Sequence, residues 1–511
     1  MNTELEHVLE ENFGFTHFRE GQKEIILSVM KGRNVLAILP TGAGKTLCYH
    51  FPAKLLDGIT IVVSPLLSLM EDQVHQMRAS GEKAVVQLNG LLSFTEKEQV
   101  LSELHHRSIV FVSPEMLAND YLLKKLRHWK VGLFVVDEAH CISQWGHEFR
   151  TDYLRLSDAR AALGEPPCLA LTATATAEVE KDILGCLAME NAVVHRFSVN
   201  RPQIKYFIEE CASEEEKQSR FREYITQVAS PAIVYTGTRN DAVQLSNEIR
   251  ETGISSTAYY HGGLAKEERL LIQRQFLHDE LRVICATTAF GMGINKPDIR
   301  TVVHMHLPSS IEQYVQEVGR AGRDGKESAA LLLYTKADRY RPLSFIEQEF
   351  LTEKELSALF RVLKGSGGTV AIKDIPAMLQ LDETVWRMVM YYLEKAAAVK
   401  AGRIAAERLN EELLATLHEH FTKRRRQKQS LFLQLERLFT ENSCIRSGIL
   451  AYFGENQHTS PAFCCSACGF RFTDMPGFDP HPRPADESGK SNEITWQEEL
   501  QHMLLPHKRG R

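Results

Sequence analysis

A glycine-rich stretch near the N-terminus, LPTGAGKTL (39–47), has the residues and the spacing needed to bind phosphate groups. Gly42 and Gly44 would let backbone N–H groups close round a phosphate. Lys45 would reach the outer phosphates, and Thr46 could ligate Mg²⁺. An apolar run precedes the stretch and a helical pattern follows it, as a phosphate-binding loop requires. The strict pattern has glycine in place of the first leucine, and a structural glycine turn with a solvated lysine is the alternative.

An acidic pair, Asp137 and Glu138, ends an apolar run in the stretch VVDEAH (135–140). A carboxylate at the end of a buried strand can hold Mg²⁺ through water, and Asp137 has that position. Glu138 projects differently, so it could orient and deprotonate the water that attacks a γ-phosphate. The pair could instead only cap the next helix. Together with the phosphate-binding loop, however, it predicts ATP hydrolysis.

Two arginines, Arg320 and Arg323, lie among the glycines of QEVGRAGRDG (316–325). Guanidinium groups that enter from a second domain would neutralise the charge that builds up on the transferring phosphoryl group. The alternative is a surface loop with solvated arginines. The predicted catalytic residues are therefore Lys45, Asp137, Glu138, Arg320 and Arg323, the predicted ATP-binding loop is Thr41, Gly42, Ala43, Gly44, Lys45 and Thr46, and the predicted magnesium ligands are Thr46 and Asp137.

Four of the ten cysteines cluster late in the chain, as Cys444 and then Cys464, Cys465 and Cys468 in CCSAC. Four thiolates are enough for a closed tetrahedral Zn²⁺ site. Adjacent cysteines are less usual in such a site than two CxxC pairs, and reduced structural thiols are the alternative. The role of a zinc ion here would be structural, because metal binding supplies folding free energy to a short segment with little core.

Short apolar runs alternate with helical stretches through the first two-thirds of the chain. Runs of this length between helices are typical of parallel strands that are buried on both faces. The sequence therefore predicts two tandem α/β domains, with VNRPQIKYF (199–207) interpreted as a linker between them. The runs lie at 35–39, 60–64, 84–88, 108–113, 133–137 and 168–174, and then at 232–235, 257–260, 282–287, 301–305 and 329–334.

Beyond about residue 340 helical spacing of apolar residues replaces the strand pattern. The order of elements at about 352–407 favours a small winged helix, and FTKRRRQKQS (421–430) is predicted to open a basic helix. Its basic run could contact phosphates, although a charge run is usually a solvated helix face. A Pro-rich linker is predicted at 476–491, followed at 493–505 by a short amphipathic helix that docks a partner or frays.

The length and composition limit the class of protein. A chain of 511 residues is expected to form about two to four domains. Its apolar runs are all much shorter than the roughly 18 residues of a membrane span, and its N-terminus has no signal-peptide pattern. We therefore expect a cytoplasmic protein without a membrane partner. The net charge of −6 means that any nucleic-acid contact must use a local basic groove.

In their order, these motifs resemble those of the RecQ family of superfamily 2 DNA helicases. The resemblance covers about residues 10–340 and resumes near residue 441. It implies two RecA-like domains, ATP-dependent unwinding with 3′-to-5′ polarity, and a role in recombination, repair or replication. It also implies single-stranded and duplex DNA as partners, with single-stranded-DNA-binding or repair proteins beside them, and association with the nucleoid in a bacterium. The matching stretches are FGFTHFREGQKEII, LPTGAGKT, IVVSPLLSLMEDQV, VSPEML, DEAH, LTATAT, AIVYTGTRNDA, AYYHGGL, ATTAFGMGINKPDIRTVVH and QEVGRAGRDG.

The resemblance also implies roles for single residues. In the family's adenine-sensing motif, Gln22 and Arg19 would contact the base and Phe15 would stack on it. The stretch CISQWGHEFR (141–150) resembles the aromatic-rich loop of RecQ enzymes. In that loop Trp145, Phe149 and Arg150 would contact single-stranded DNA, while Gln144 and His147 would face the nucleotide.

Stacking suits a motor that must ignore sequence, since every base offers a π-face worth roughly 1–3 kcal/mol. Because the aromatic-rich loop is joined covalently to Asp137, Glu138 and His140, we hypothesise that it couples DNA binding to ATP turnover. The alternative is that Trp145 is a buried packing residue.

The 511-residue chain ends soon after Cys468, so we expect no room for both C-terminal domains that longer members carry. The chain therefore resembles the short RecS type. An ATP-switched translocase or DNA-binding platform that does not separate strands is the alternative function, and an RNA helicase is disfavoured by the aromatic loop and the cysteines. The expected domains are RecA-like domains at 1–198 and 199–340, a helical or winged-helix-like segment at 341–440, a zinc module at 441–475 and a flexible tail at 476–511.

Overall fold

The structure is a computed structural model. It describes residues 2–143, 150–291, 296–365, 374–400, 403–455 and 463–474. The predicted tail at 476–511 lies outside the described residues, as do Gln144, Trp145, His147 and Phe149 of the aromatic-rich loop.

The first domain is built on a sheet of seven parallel strands in the order β3-β4-β2-β5-β6-β1-β7. All residues of its central strands β1, β2, β4 and β6 are buried, as the continuous apolar runs predict. The strands are β1 (Val35–Ile38), β2 (Ile59–Val63), β3 (Val85–Leu88), β4 (Ile109–Val112), β5 (Val131–Val136), β6 (Cys168–Thr172) and β7 (Val193–Arg196).

Helices precede and connect these strands. They are α1 (Asn2–Phe13), α2 (Gln22–Met30), α3 (Leu47–Leu55), α4 (Leu67–Ala79), α5 (Phe94–Ser102), α6 (Pro114–Leu117), α7 (Asp120–Leu126), α8 (Leu156–Ala162) and α9 (Ala177–Cys186). Two apolar clusters join helices to the sheet, and a third joins α1 to α2 and α3.

The second domain has a sheet of six parallel strands in the order β10-β11-β9-β12-β13-β8. Two tandem parallel-sheet domains confirm the predicted fold class. The strands are β8 (Ile204–Cys211), β9 (Ala232–Tyr235), β10 (Thr257–Tyr260), β11 (Val283–Ala286), β12 (Thr301–His304) and β13 (Ser328–Thr335), and the helices are α10 (Glu214–Ile225), α11 (Arg239–Glu251), α12 (Lys266–Leu277) and α13 (Ile311–Val318).

Two edge strands, β7 and β8, were not predicted from the sequence. The linker interpretation of 199–207 was wrong for residues 204–207, which begin β8. Several residues of β7 and β8 are partly exposed at the edge of the sheet. Neither strand therefore shows the continuous apolar run of a central strand. The linker is therefore shorter than predicted, and we use the name interdomain linker for residues 197–203.

The segment after the second sheet is helical. It comprises α14 (Tyr340–Gln348), α15 (Glu353–Gly365), α16 (Ile375–Met378), α17 (Glu383–Lys395), a hairpin of β14 (Val399–Lys400) and β15 (Arg403–Ile404), α18 (Glu411–Thr440) and α19 (Ile445–Tyr452). The winged helix at about 352–407 stays a prediction, since residues 366–373 and 401–402 of that stretch lie outside the described residues. Helix α17 also reaches the first domain, where Arg387 Nη1 lies 3.5 Å from Asp152 Oδ2.

The predicted basic helix begins ten residues before the expected start, as part of α18. Some basic residues of this helix are buried or form contacts with other parts of the fold. Arg424 is 6% exposed, and burial lowers its pKa to about 10. Arg425 donates to the carbonyl of Phe350, and Lys428 pairs with Glu349. These contacts favour an anchor between α18 and α14 over a solvated face.

The cysteine segment, which we define as residues 444–455 and 463–474, packs against the second domain. Ile445, Ile449 and Leu450 join the apolar core of that domain, beside Ile204 and Tyr206. Among the described residues, no helix combines the length and the apolar character needed to cross a membrane.

Candidate ATP-binding and motor site

The predicted ATP site lies at the carboxyl edge of the first sheet. The phosphate loop, which we define as residues 39–47, follows β1, and the acidic pair follows β5. Strand β6 lies between β5 and β1 in the sheet. Because parallel strands end at the same edge, the loops after β1, β5 and β6 meet there.

The phosphate loop contacts the segment that precedes helix α2. Gly42 and Gly44 have φ values of 85° and 77°, which favour glycine. Arg19 Nη1 donates to the Gly42 carbonyl at 2.8 Å, and Gln22 Nε2 donates to the carbonyls of Ala43 at 2.9 Å and Gly44 at 3.1 Å. The residues predicted to sense adenine therefore hold the loop predicted to bind phosphate.

Phe15 and Thr46 are two further predicted nucleotide contacts. Phe15 is 53% exposed, so its ring face is open to a ligand. Thr46 Oγ1 donates to Gln73 Oε1 at 3.1 Å. Since the hydroxyl proton points to Gln73, the lone pairs of Thr46 remain for a cation. Gln73 was not predicted, because an amide in a helix gives no distinctive sequence signal.

The acidic pair lies against Lys45. Glu138 Oε1 is 3.9 Å from Lys45 Nζ, and Asp137 Oδ1 accepts from the backbone N–H of Glu138 at 3.0 Å. Glu138 has a φ of 47°, a left-handed backbone that is costly for a residue with a Cβ. Burial and the charge of Glu138 raise the pKa of Asp137, and Lys45 opposes that rise. A cation near Asp137 would favour its ionised form.

His140 extends the acidic pair toward β6. Its Nδ1 lies 3.0 Å from Thr172 Oγ1 and 3.4 Å from Glu138 Oε2. The Thr172 hydroxyl donates to the Thr174 carbonyl at 3.0 Å, so it accepts from His140, which places a proton on Nδ1. His140 therefore lies between the Glu138 carboxylate and strand β6.

The two predicted arginines occupy different places. Arg323 lies on the phosphate loop, where a Cβ added to Gly42 would be 3.1 Å from Arg323 Cγ. Arg320 is buried and donates to the Gly291 carbonyl of its own domain. Burial, followed by the charges of Arg320 and Arg201, lowers the pKa of Arg323 to about 9, so it remains charged at neutral pH.

Arg201 was not predicted as a site residue, because its Arg-Pro pair is typical of a linker. It is 9% exposed and donates to the carbonyls of Thr41 at 2.8 Å and Gly319 at 3.0 Å. Thr41 Oγ1 also donates to the Gly319 carbonyl at 3.0 Å. We define residues 316–325 as the arginine loop. The phosphate loop and the arginine loop thus meet across the domain boundary.

The described end of the aromatic-rich loop is tied to two predicted motifs. Arg150 Nη1 donates to the Pro65 carbonyl at 2.7 Å, in the stretch VSPLLSL. Shortly after it, the Tyr153 hydroxyl donates to the Asp137 carbonyl at 3.1 Å. Gln144, Trp145, His147 and Phe149 lie outside the described residues, so their contacts remain predictions.

The four late cysteines come together. Their sulfur atoms lie within 4.8 Å of one another, with Cys444 and Cys464 3.5 Å apart and Cys444 and Cys465 3.9 Å apart. A tetrahedral ion with Zn–S bonds of about 2.3 Å would place its sulfurs about 3.8 Å apart. Burial and neighbouring thiols raise the pKa values of Cys464 and Cys468, a cost that a bound cation would offset.

Comparisons with known proteins agree with this geometry. Residues 19–183 match the DEAD/DEAH box helicase family, and residues 216–325 match the helicase conserved C-terminal domain. A probable ATP-dependent DNA helicase RecS of Bacillus subtilis is 42% identical over 472 residues, which are 92% of each chain. The chain belongs to the RecQ family of superfamily 2 helicases. The ATP-dependent DNA helicase RecQ of Pasteurella multocida is 42% identical over 65% of this chain and 52% of its own length.

This RecQ-family chain also shares its fold with solved helicases. The Mycobacterium smegmatis helicase Lhr, bound to ssDNA and AMP-PNP, aligns with a TM-score of 0.54 and 18% identity over 76% of this chain and 57% of that one. Dbp5 of S. cerevisiae, bound to RNA and ADP BeF3, aligns with a TM-score of 0.54 and 20% identity over 67% of this chain and 90% of that one. At these identities the likeness concerns the fold.

Gly319→Ala tests the contact between the two loops. Gly319 has a φ of −62°, which alanine can adopt, but an added Cβ would overlap Thr41 Oγ1 and lie 2.8 Å from the Val315 carbonyl oxygen. We expect the arginine loop to move away from the phosphate loop and ATP turnover to fall by about tenfold or more. The measurement is steady-state ATPase activity.

The matched control is Gly185→Ala in α9, where an added Cβ meets no atom within 4 Å. Equal ATPase activity in the Gly319 and Gly185 variants would contradict the contact.

Proposed function

We propose that this RecQ-family protein is an ATP- and Mg²⁺-dependent DNA helicase with 3′-to-5′ polarity. Its two RecA-like domains would close on ATP and reopen after hydrolysis, so that the protein steps along one strand. The observation that carries the proposal is the position of Arg323, which comes from the second domain and lies on the phosphate loop of the first. An ATP bound there would contact both domains, so hydrolysis could change their relative position.

In the proposed mechanism, the backbone of the phosphate loop and Lys45 bind the phosphates, while Arg19, Gln22 and Phe15 bind the base. Thr46 and Asp137 would hold Mg²⁺, which when bound neutralises charge on the β- and γ-phosphates. The residues fit this ion, since the Thr46 lone pairs are available and burial of Asp137 favours a cation partner.

Glu138 would orient the attacking water and accept its proton. Its strained backbone and its contact with His140 keep the carboxylate beside Lys45. Arg323 would offset the negative charge that develops on the γ-phosphoryl group. Arg320 would instead hold the arginine loop against Gly291, a positioning role within the second domain.

We further infer that the aromatic-rich loop couples DNA binding to hydrolysis. Its described end is bound to Pro65 through Arg150 and lies near the contact of Tyr153 with Asp137. Stacking of a base on Trp145 would therefore shift the positions of both the VSPLLSL stretch and the acidic pair. Cytoplasmic or nucleoid placement and binding of single-stranded-DNA-binding or repair proteins follow from this function as further proposals.

The first test is strand separation of a 3′-tailed and a 5′-tailed duplex with ATP and Mg²⁺. The wild type should unwind only the 3′-tailed duplex, and Lys45→Ala should unwind neither, because loss of the phosphate contact abolishes ATP turnover. Lys54→Ala is a control, since Lys54 lies in the following helix and pairs with Glu82.

Strong DNA-stimulated ATPase without opening of either duplex would support the translocase or platform alternative. Stimulation by RNA as strong as by DNA would support the RNA-helicase alternative.

Trp145→Ala tests the coupling. Loss of stacking, worth roughly 1–3 kcal/mol, should reduce the stimulation of ATPase by single-stranded DNA about tenfold or more. ATPase without DNA should change little, because Lys45, Asp137 and Glu138 remain in place. The measurement compares the two rates at saturating ATP, with Trp129→Ala as a tryptophan control outside the loop. Full stimulation in Trp145→Ala would remove the coupling role.

We also propose that Cys444, Cys464, Cys465 and Cys468 bind a structural Zn²⁺. The purified wild type should contain about one zinc ion per chain. Cys468→Ser should lose it and unfold at a lower temperature, because the ion supplies folding free energy. Zinc content by elemental analysis and thermal unfolding with and without a chelator provide the measurements. Cys186→Ser, outside the cluster, should retain the metal, and a metal-free wild type would support structural thiols.

A further inference from the structure

Arg201 of the interdomain linker joins the two halves of the ATP site. Its Nη1 donates to the carbonyls of Thr41 and Gly319, and its Nη2 donates to the carbonyls of Ala321 and Gly322, both at 2.9 Å. A planar guanidinium can serve two groups of acceptors at once, which a lysine ammonium on a flexible chain does poorly. Arg201 therefore sets the distance between the phosphate loop and the arginine loop.

The linker backbone that carries Arg201 is held from its other side by Arg446 of the cysteine segment. Arg446 is 2% exposed, and its Nη1 donates to Asn200 Oδ1 and to the Arg201 carbonyl, each at 2.8 Å. Its Nη2 donates to the Ile204 carbonyl, and its guanidinium lies 5.1 Å from the Tyr206 ring centroid. The Arg446 side chain is therefore buried against the linker backbone.

Two more contacts hold the same stretch. Glu455, just beyond helix α19, accepts from the backbone N–H of Val199 at 2.7 Å and from the Ser198 hydroxyl. The Tyr206 N–H donates to the Cys464 carbonyl at 3.2 Å. The cysteine segment therefore forms hydrogen bonds to the backbone before and after Arg201, while the Arg201 side chain reaches the ATP site.

The positive charges near Arg201 explain why the linker must be held in place. Burial lowers the pKa of Arg323, and the nearby positive charges of Arg320 and Arg201 lower it further. The repulsion between Arg201 and Arg323 would separate the linker from the arginine loop unless backbone contacts resist it. The carbonyls bound by Arg201 supply that resistance.

We propose that Arg446 is a positioning residue for ATP hydrolysis, which acts through Arg201 to hold the arginine loop on the phosphate loop. The inference rests on the proposed function and assigns to the cysteine segment a part in ATP turnover. A change in the cysteine segment, whether by DNA contact or by loss of its fold, would reach Arg323 by this route.

The test is a double-mutant cycle of Arg201→Lys and Arg446→Lys in the full-length protein. Each single variant should lower kcat of the DNA-stimulated ATPase about tenfold, with a smaller change in KM for ATP. Because both residues act on one contact, the double variant should be no slower than Arg201→Lys alone. The control is Arg471→Lys, an exposed arginine of the same segment, which should have wild-type kcat.

Affinity for a fluorescent ADP analogue, measured on the same proteins, should stay near wild type, and a cooperative thermal unfolding transition should show that each variant is folded. If Arg446→Lys does not fold, Glu455→Gln replaces it, since it loosens the linker at Val199 and Ser198, and the same non-additive loss of kcat is expected. Additive losses, or wild-type kcat in the Arg446 and Glu455 variants, would overturn the inference alone. A wild type without DNA-stimulated ATPase would overturn the proposed function and the inference together.

Discussion

The arrangement of this protein depends on bringing positive charge from two separate domains to one small site. Lys45 belongs to the first domain, Arg323 belongs to the second, and Arg201 lies on the linker between them. Groups of like charge repel, so the contact requires acceptors on the protein and favours a polyanionic ligand. Backbone carbonyls of both loops supply the acceptors. The contact between the two domains therefore depends on the charge of the ligand bound at their boundary.

The remaining elements support that boundary. The parallel sheets place the phosphate loop and the acidic pair at one edge, and the buried β6 strand carries the threonine that orients His140. The cysteine segment extends the core of the second domain and holds the linker. Helix α17 reaches back to the first domain at Asp152, close to the end of the aromatic-rich loop. The C-terminal segments therefore contact both motor domains.

Much of this could be predicted from local sequence. The central strand β9 appeared as an apolar run with the observed bounds, because burial on both faces leaves a continuous signal. The edge strands β7 and β8 were missed, since partial exposure interrupts that signal. Helix α18 began earlier than its basic run suggested, and part of that run proved to anchor α14.

The sequence by itself determined the chemistry: a phosphate loop, an acidic pair, two arginines among glycines and four late cysteines, each defined by residue types at short spacing. Only the tertiary structure decided which arginine reaches the phosphate loop, and it brought Arg323 there while turning Arg320 to Gly291. It also revealed Arg201 and Arg446, whose partners are backbone carbonyls far away in the chain. Every residue offers such a carbonyl, so no residue type in the sequence marks the partner of a buried arginine.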